Sequence, residues 1–242
     1  MSYSKTVKMC GVGYADVCSK MEKINVFPDV RIEISEGLEE VYVTVTTEDG
    51  DDAKKRIKPV IKEIKNEFGN SIYSTEDDAT LEKAVVDLLV ANDLTISTVE
   101  SCTGGLLSGR IINVPGVSEV FKSGVVSYSN KAKRKIIGVK KSTITKYGAV
   151  SRQTAEEMAC GMHSISKADV VVSTTGIAGP DGGTDKKPVG LVYIGCYVCG
   201  EVSVKEFRFD GDRAAVRAKA VAQSLILMRE CVLSYISKKM FE

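Results

Sequence analysis

Three side chains that could act as nucleophiles stand together in the segment "TVESCTGGLLSG", residues 98–109. They are Ser101, Cys102 and Thr103, and two glycines follow them. The preceding run predicts a strand and the run from Thr103 predicts a helix, so Ser101 falls where a strand meets a helix. Unpaired N–H groups and the helix dipole at such a junction would stabilise an oxyanion, and Gly104 would let a substrate approach closely. Helix capping and plain anion binding also explain these residue types without catalysis.

The base for such a nucleophile must come from a small set of residues, because the chain contains a single histidine. That residue, His163, lies in the amphipathic run "AEEMACGMHSIS", which favours a structural role and argues against a Ser-His-Asp triad. Lys133 is the better candidate: in "NKAKRKIIGV", at about 100° per residue, it shares an apolar stripe with Ile136 and Ile137. Burial in that stripe would lower the pKa of the amine, as a general base requires. A lysine whose stem merely covers apolar surface is the alternative.

Residues next to these candidates have more than one interpretation. Tyr128 ends the predicted strand "SGVVSYS" and either joins the same pocket or packs in the core. Ser129 and Asn130 are expected to cap the following helix. Cys102 is a rival nucleophile, because a thiol is more reactive than a hydroxyl and helix N-termini lower thiol pKa values.

A glycine-rich segment, "TTGIAGPDGGTDKKPVG" at residues 174–190, follows an apolar strand. Ligands bind beyond the carboxyl ends of strands in α/β sheets, so we expect a binding loop here. The segment matches neither the Walker nor the G-x-G-x-x-G spelling, and no NTP or dinucleotide site is predicted. Arg213, in the first turn of the last predicted helix, works against the helix dipole. It indicates an anionic partner such as phosphate, unless Asp210 or Asp212 pairs with it.

The elements that must position these residues divide the chain in two. Residues 1–75 contain, in order, a strand, a helix, two extended runs, a charged helix from Asp51 and a short strand. That order predicts a small α+β domain. In residues 76–242 helices and strands mostly alternate, and a hairpin precedes a long final helix. This pattern predicts an α/β domain with a mixed sheet between helices.

The overall composition excludes several classes of protein. The apolar fraction of 43% and charged fraction of 27% over 242 residues are typical of a globular protein. A net charge of +1 gives no bulk attraction to nucleic acid or to an anionic membrane. No run approaches the roughly 20 apolar residues of a membrane span, and the N-terminus lacks the apolar stretch of a secretory signal.

The cysteines predict a reducing environment and no metal site. Seven cysteines without regular spacing indicate free thiols and a cytoplasmic location. Cys196 and Cys199 have the C-x-x-C spacing, but they lie in a strand-like run, where residues three apart face opposite sides. We therefore interpret the pair as structural. No cluster has metal-ligand spacing, so no metal is predicted.

Five motifs in a fixed order resemble one family. They are "ESCTGG", "YSNKAK", "GAVS", "GIAGPDGG" with "KPVG", and "GDR". This set closely resembles the C-terminal domain of the CinA competence/damage-inducible family, the nicotinamide-mononucleotide deamidase domain. The resemblance implies an α/β/α sandwich that hydrolyses nicotinamide mononucleotide to nicotinic acid mononucleotide and ammonia, with no metal or cofactor.

Residues 1–75 resemble, more weakly, the KH-like middle domain of longer family members. They lack the GxxG loop with which KH modules clamp RNA, so the resemblance gives little support to nucleic-acid binding. The pyrophosphatase domain that precedes this region in longer members lies outside this sequence, and its activity is not expected here.

The resemblance also implies roles for individual residues. Ser101 corresponds to the nucleophile, Lys133 to the lysine base and Tyr128 to the tyrosine of the "YSN" motif. Oxyanion or substrate contacts would fall on Thr103, Gly104, Asn130, Thr175, Gly176, Gly179 and Arg213. The protein expected is a cytoplasmic amidase for a small nucleotide, working as a homodimer or higher homo-oligomer. The alternatives are a non-catalytic nucleotide-binding module and an RNA-binding adaptor built on the first domain.

Overall fold

The computed structural model describes residues 3–48 and 52–240 and divides the chain into two compact units, Met1–Ala84 and Val85–Glu242. The N-terminal unit is a four-stranded antiparallel sheet with two helices on one face. Its elements are β1 (Tyr3–Cys10), α1 (Tyr14–Met21), β2 (Val30–Glu36), β3 (Glu40–Thr47), α2 (Ala53–Phe68) and β4 (Ile72–Ser74), with strand order β2-β3-β1-β4. Val7 and Val43 pair across β1 and β3, and both are fully buried beneath the helices. The predicted α+β fold is confirmed, while Asp51, the predicted start of α2, lies outside the described residues.

The C-terminal unit is built on a five-stranded mixed sheet. Its elements are α3 (Leu81–Val90), β5 (Ile96–Glu100), α4 (Leu106–Ile112), β6 (Phe121–Val126), α5 (Asn130–Lys135), α6 (Lys141–Tyr147), α7 (Arg152–Ser166), β7 (Val170–Gly176), β8 (Leu191–Val198), β9 (Glu201–Arg208) and α8 (Arg213–Lys239). The strand order is β6-β5-β7-β8-β9. Strand β5 runs parallel to β6 and β7, whereas β8 is antiparallel to β7 and β9. The boundary between the units falls within α3, slightly beyond the residue 75 expected from the sequence.

Helices cover both faces of this sheet. Val171 packs with Met158 and Met162 of α7 on one face. Val170 and Val172 point to the opposite face, because side chains alternate along a strand, and they are also fully buried. Helix α8 packs on β7 and β8, and α4 packs on α8. The three-layer α/β/α sandwich with a mixed sheet is confirmed.

Helix α8 is the one described helix with the length and apolar content of a membrane span, at a hydropathy of 1.2 over its most apolar stretch. Half of that stretch is buried inside the protein. Val216, Leu225 and Val232 are fully buried. Helix α8 is therefore a core helix of the sandwich.

Two predicted helices are shorter than expected at the ends that matter for the site. The helix predicted from Thr103 begins at Leu106, because Gly104 and Gly105 have φ values of +61° and +95°, which no right-handed helix contains. The helix predicted through residue 139 ends at Lys135. The later start of α4 and the earlier end of α5 change which backbone and side-chain groups can face a ligand.

Candidate active site

Ser101 follows directly after β5, the central parallel strand of the sheet. All five residues of β5 are buried, and Ser101 itself is 8% exposed. Its N–H donates to the carbonyl of Thr174 on β7 at 3.0 Å, which continues the pairing of the two strands by one residue. Because β5, β6 and β7 are parallel, the segments that follow them meet at one edge of the sheet.

Lys133 reaches Ser101 from the segment that follows β6. Ser129 caps α5 by accepting a hydrogen bond from the N–H of Ala132 at 3.0 Å, as the sequence predicts. One turn into this helix, Lys133 is only 1% exposed. Its Nζ lies 2.7 Å from the Oγ of Ser101 and 2.7 Å from the carbonyl oxygen of Ser127, with the carbonyl of Tyr128 at 3.3 Å.

This set of acceptors suits a neutral amine. A neutral lysine has two N–H donors and one lone pair. The carbonyls of Ser127 and Tyr128 can receive the two donors, which leaves the lone pair for the Ser101 hydroxyl. Among the described residues, no carboxylate lies within ion-pairing distance of Nζ. Burial lowers the pKa of Lys133 from its ordinary value to about 8, against a smaller opposing effect of the Cys102 thiol.

The apolar stripe expected around Lys133 is only half correct. Ile137 is buried at 2% exposure, but Ile136 is 53% exposed. Ile136 still follows the helix, because its N–H bonds to the Ala132 carbonyl at 2.9 Å, and it lies on the exposed side of the helix end. The N–H of Val139 then bonds to the Lys133 carbonyl at 3.0 Å. The lysine is buried because this segment folds onto the sheet.

The start of α4 does not offer the free N–H groups expected from the sequence. The buried carboxylate of Glu100 accepts hydrogen bonds from the N–H groups of Gly105, Leu107 and Ser108 and from the Ser108 hydroxyl. An internal carboxylate thus occupies the positive end of the helix dipole, and the N–H groups of Gly105, Leu107 and Ser108 are not open to an oxyanion.

The turn between Ser101 and α4 contains N–H groups that Glu100 does not bind, of which that of Thr103 contacts the Cys102 sulfur. No oxygen of a described residue accepts from the N–H of Thr103 or Gly104. Gly104 is exposed, whereas the Thr103 side chain is buried and hydrogen-bonded to the hydroxyl of Thr174 at 2.7 Å. Of these two residues, predicted as oxyanion or substrate contacts, Gly104 offers an exposed N–H, whereas the N–H of Thr103 must exchange the Cys102 sulfur for a ligand oxygen.

Tyr128, Gly179 and Arg213 form a chain of hydrogen bonds across three segments. The guanidinium of Arg213 donates to the carbonyl of Gly179 at 2.8 Å and to the hydroxyl of Tyr128 at 3.2 Å. Tyr128 is 60% exposed, so its interpretation as a core residue is wrong. Asp212 instead caps α8 by accepting from the N–H of Ala215. Within the described parts of the chain, no carboxylate forms an ion pair with Arg213.

Three other predicted contact residues have different surroundings. Thr175 is 1% exposed and donates its hydroxyl to the Ala149 carbonyl at 2.7 Å, so we assign it to packing and correct the prediction. Gly176 belongs to β7, where a Cβ would lie 2.8 Å from the Leu191 carbonyl oxygen, so close strand packing explains this glycine. Asn130 is the exposed first residue of α5.

The rival candidates, Cys102 and His163, have surroundings that do not suit catalysis. Burial raises the pKa of the Cys102 thiol to about 11, although the nearby Lys133 opposes the rise. His163 stacks on Tyr197 with ring centroids 4.1 Å apart, and its two ring nitrogens contact the Ala168 carbonyl and the Tyr197 hydroxyl. The structural role predicted for His163 accounts for all of these contacts.

The two cysteines of the C-x-x-C pair differ in their exposure to solvent. Cys196 is buried in β8 and Cys199 is exposed beyond its end, and both are free thiols. Their environments agree with the structural interpretation.

Sequence reasoning missed three residues of the site. Glu100 gave a signal, because a carboxylate directly before the turn is suited to cap the next helix. Arg217 lies four positions after Arg213, on the same side of α8, and contacts the turn after Ser101. Ser127 gave no signal; its buried hydroxyl has no hydrogen-bond partner among the described residues.

Comparison with known proteins gives a consistent family assignment. The model of the family described as "CinA C-terminal domain" matches residues 78–232. A protein of Clostridium novyi (strain NT), named as competence-damage inducible, is 46% identical over 230 residues, covering 94% of this chain and 55% of the relative. A CinA-like protein of Dictyoglomus turgidum is 43% identical over 235 residues, covering 96% of this chain and 57% of the relative. The chain thus spans little more than half the length of these relatives.

Solved structures resemble the chain over nearly two thirds of its length. The competence/damage inducible protein CihA of Agrobacterium tumefaciens is 40% identical, with a TM-score of 0.58, covering 62% of this chain and 94% of that one. A CinA superfamily protein of Klebsiella pneumoniae is 32% identical, with a TM-score of 0.62, covering 64% and 96%.

Proposed function

The chain belongs to the CinA family, and we propose that its C-terminal unit is a serine/lysine amidase that hydrolyses nicotinamide mononucleotide to nicotinic acid mononucleotide and ammonia. The observation that carries the proposal is the 2.7 Å hydrogen bond between the buried Nζ of Lys133 and the Oγ of Ser101. A buried lysine without a carboxylate partner is costly to keep charged, and its neutral form is the base that a serine nucleophile needs. The substrate is taken from the resemblance of the site motifs to the deamidase domain.

In the first half of the proposed reaction, Ser101 adds to the carboxamide and forms a tetrahedral intermediate. Neutral Lys133 takes the hydroxyl proton as Oγ attacks the carboxamide carbon, and the carbonyl electrons move onto oxygen. The N–H groups of Thr103 and Gly104 would stabilise this oxyanion; loss of one such donor typically costs about 3 kcal/mol. The protonated lysine then has three donors for its three neighbouring oxygen atoms. The three oxygen atoms around Nζ therefore suit both the neutral and the protonated form of Lys133.

In the second half, ammonia leaves and water replaces it. The C–N bond breaks with its electrons on nitrogen, which takes a proton from the Lys133 ammonium, or from the Tyr128 hydroxyl with Lys133 then returning a proton to Tyr128, so that the amine is neutral again. Water then attacks the acyl-enzyme and Lys133 accepts its proton. Breakage of the ester bond releases nicotinic acid mononucleotide and restores the Ser101 hydroxyl.

Ser101 is preferred to Cys102 as the nucleophile for two reasons. The Lys133 amine is hydrogen-bonded to the serine hydroxyl. The raised pKa of about 11 keeps the Cys102 thiol protonated near neutral pH, and the thiolate is the reactive form.

The nucleotide part of the substrate is assigned to the surface beside Ser101. Arg213 is exposed and pairs with no carboxylate of the described residues, so its charge is available to a phosphate. The carbonyl of Gly179 fixes its direction. All seven cysteines are free thiols, in keeping with the proposed cytoplasmic location; a homo-oligomer is also proposed and can be checked by light scattering.

The test is ammonia release from nicotinamide mononucleotide by wild type and four variants. We expect Ser101→Ala and Lys133→Met to lose activity, and Cys102→Ala to keep it. Lys131→Met is the matched control, because Lys131 is an exposed lysine on the same helix. Activity lost in Cys102→Ala and kept in Ser101→Ala would reassign the nucleophile. Saturable nucleotide binding by wild type with no turnover would instead support a non-catalytic binding module.

A further inference from the structure

The turn after Ser101 is held by an arginine from a distant helix. Arg217 of α8 donates from Nε to the carbonyl of Cys102 at 3.1 Å and from Nη2 to the carbonyl of Thr103 at 2.9 Å. One guanidinium therefore binds two consecutive peptide groups. Arginine suits this task because its donors form a rigid planar fork.

These two bonds also fix the direction of two N–H groups. A trans peptide unit is planar, so its C=O and N–H bonds point in opposite directions. The carbonyl of Cys102 belongs to the same peptide as the N–H of Thr103, and the carbonyl of Thr103 to the same peptide as the N–H of Gly104. With both carbonyls turned toward Arg217, both N–H groups face the other side of the turn.

The N–H groups fixed in this way are not taken by Glu100, and the Thr103 N–H contacts the Cys102 sulfur, a weak acceptor that a substrate oxygen can replace. Glu100 takes the N–H groups of Gly105, Leu107 and Ser108, whereas those of Thr103 and Gly104 meet no oxygen acceptor among the described residues. A cation bound to a carbonyl also draws electron density from the amide, which strengthens the N–H as a donor.

Gly104 fits the same arrangement. Its φ of +61° is strained for other residues, and a Cβ there would lie 3.3 Å from Nη2 of Arg217. The glycine and the arginine therefore support one conformation of the turn.

We propose that Arg217 is a positioning residue that sets and polarises the N–H groups of Thr103 and Gly104 as the oxyanion hole. This inference rests on the proposed serine reaction. Arg217 takes no proton and forms no bond to the substrate. When Oγ of Ser101 bonds to the acyl carbon, the new charge on the acyl oxygen is met by the two N–H groups whose carbonyls Arg217 holds.

The experiment compares Arg217→Met and Arg217→Lys with wild type and with Lys219→Met. Lys219 is the matched control, because it lies on the same helix and donates to the Asp210 carbonyl. We expect Arg217→Met to lower kcat and kcat/KM by the same factor, about 100-fold or more, with little change in KM. Arg217→Lys should restore part of the loss, since an ammonium is a point charge without the fork. Lys219→Met should match wild type.

Two further readouts separate positioning from general damage. The pH midpoint of activity should stay that of wild type in Arg217→Met, because the partners of Lys133 are untouched. Covalent labelling of Ser101 by a small fluorophosphonate should slow by a factor similar to that for kcat, because attack on phosphorus also places charge on an oxygen. If Arg217→Met does not fold, the same measurements are made on Arg217→Lys.

The outcomes distinguish this role from the proposed function. An active wild type with kcat unchanged in folded Arg217→Met overturns the role of Arg217 alone. A loss of kcat that comes with a shifted pH midpoint also overturns it, because the damage then reaches Lys133. A wild type that neither releases ammonia nor reacts with the fluorophosphonate at Ser101 refutes the serine chemistry itself.

Discussion

The depressed pKa of Lys133 makes a quantitative prediction for activity against pH. With a pKa of about 8, close to a tenth of the enzyme has the neutral amine at pH 7. At the ordinary lysine value of 10.5 that fraction would be about 1 in 3,000, so burial raises the active form about 300-fold. We therefore expect kcat/KM to rise about tenfold per pH unit below 8 and to level off above it.

The assay is the initial rate of ammonia release from nicotinamide mononucleotide between pH 6 and 10. Lys131→Met should reproduce the wild-type curve, since its side chain is exposed. A curve that is flat or falls over this range would refute the neutral-lysine mechanism. A rate that still rises about tenfold per unit at pH 10, with no levelling, would point instead to the Cys102 thiol, whose pKa is raised to about 11.

The same pKa predicts a change in stability that needs no substrate. Below pH 8 Lys133 is charged in both states, and the folded state bears the full cost of burying the charge. Between 8 and 10.5 the unfolded chain binds more protons, so the free energy of unfolding rises with pH, by about 3 kcal/mol in all. Urea unfolding of wild type and Lys133→Met across this range isolates the contribution, because other titrating groups are common to both. Equal slopes would refute the depressed pKa.

Four further substitutions test the surroundings of the site. Glu100→Gln should lower the free energy of unfolding by about 2 kcal/mol or more in urea titrations, because a buried carboxylate with four donors is replaced by an amide. Gly161→Ala should lower the free energy of unfolding by a similar amount, because its Cβ would lie 2.0 Å from the Ile137 carbonyl oxygen. Its control is Gly109→Ala, which has open space in a helix and should be neutral or stabilising by about 0.5–1 kcal/mol. His163→Ala should lower the melting temperature, because both ring nitrogens lose their partners, but it should keep kcat. A folded His163→Ala protein without activity would support a histidine mechanism.

The sequence predicted the fold and the burial of Lys133 from local periodicity. Alternation and helix spacing identify strands and helices because each reports which face is buried. Lys133 is buried as expected, yet Ile136, which the same argument placed beside it, is exposed. Ile136 keeps the helical hydrogen bond to the Ala132 carbonyl, so the period still holds at that position, whereas Ile137 packs into the core. Periodicity thus predicted the helix but not the width of the face that the core covers.

Contacts between distant segments could not be predicted in this way. Arg217 lies 115 residues from Cys102 along the chain, and their contact depends on α8 packing on β7, β8 and α4. The hydroxyl of Thr175 was expected to face a ligand, but the carbonyl that it meets belongs to Ala149, 26 residues earlier. Single-sequence patterns carry no information on such pairs, because they are set by the order of strands in the sheet.

The charges around the turn explain why the helix dipole is not needed for the proposed chemistry. A bare carboxylate beside Ser101 would repel a developing oxyanion, but the charge of Glu100 is directed at four donors at the start of α4. Arg217 binds the opposite side of the turn, so its positive charge acts through the peptide groups that would face the oxyanion. The carboxylate thus holds the helix in place, and the arginine provides the electrostatic stabilisation that the sequence assigned to the helix dipole.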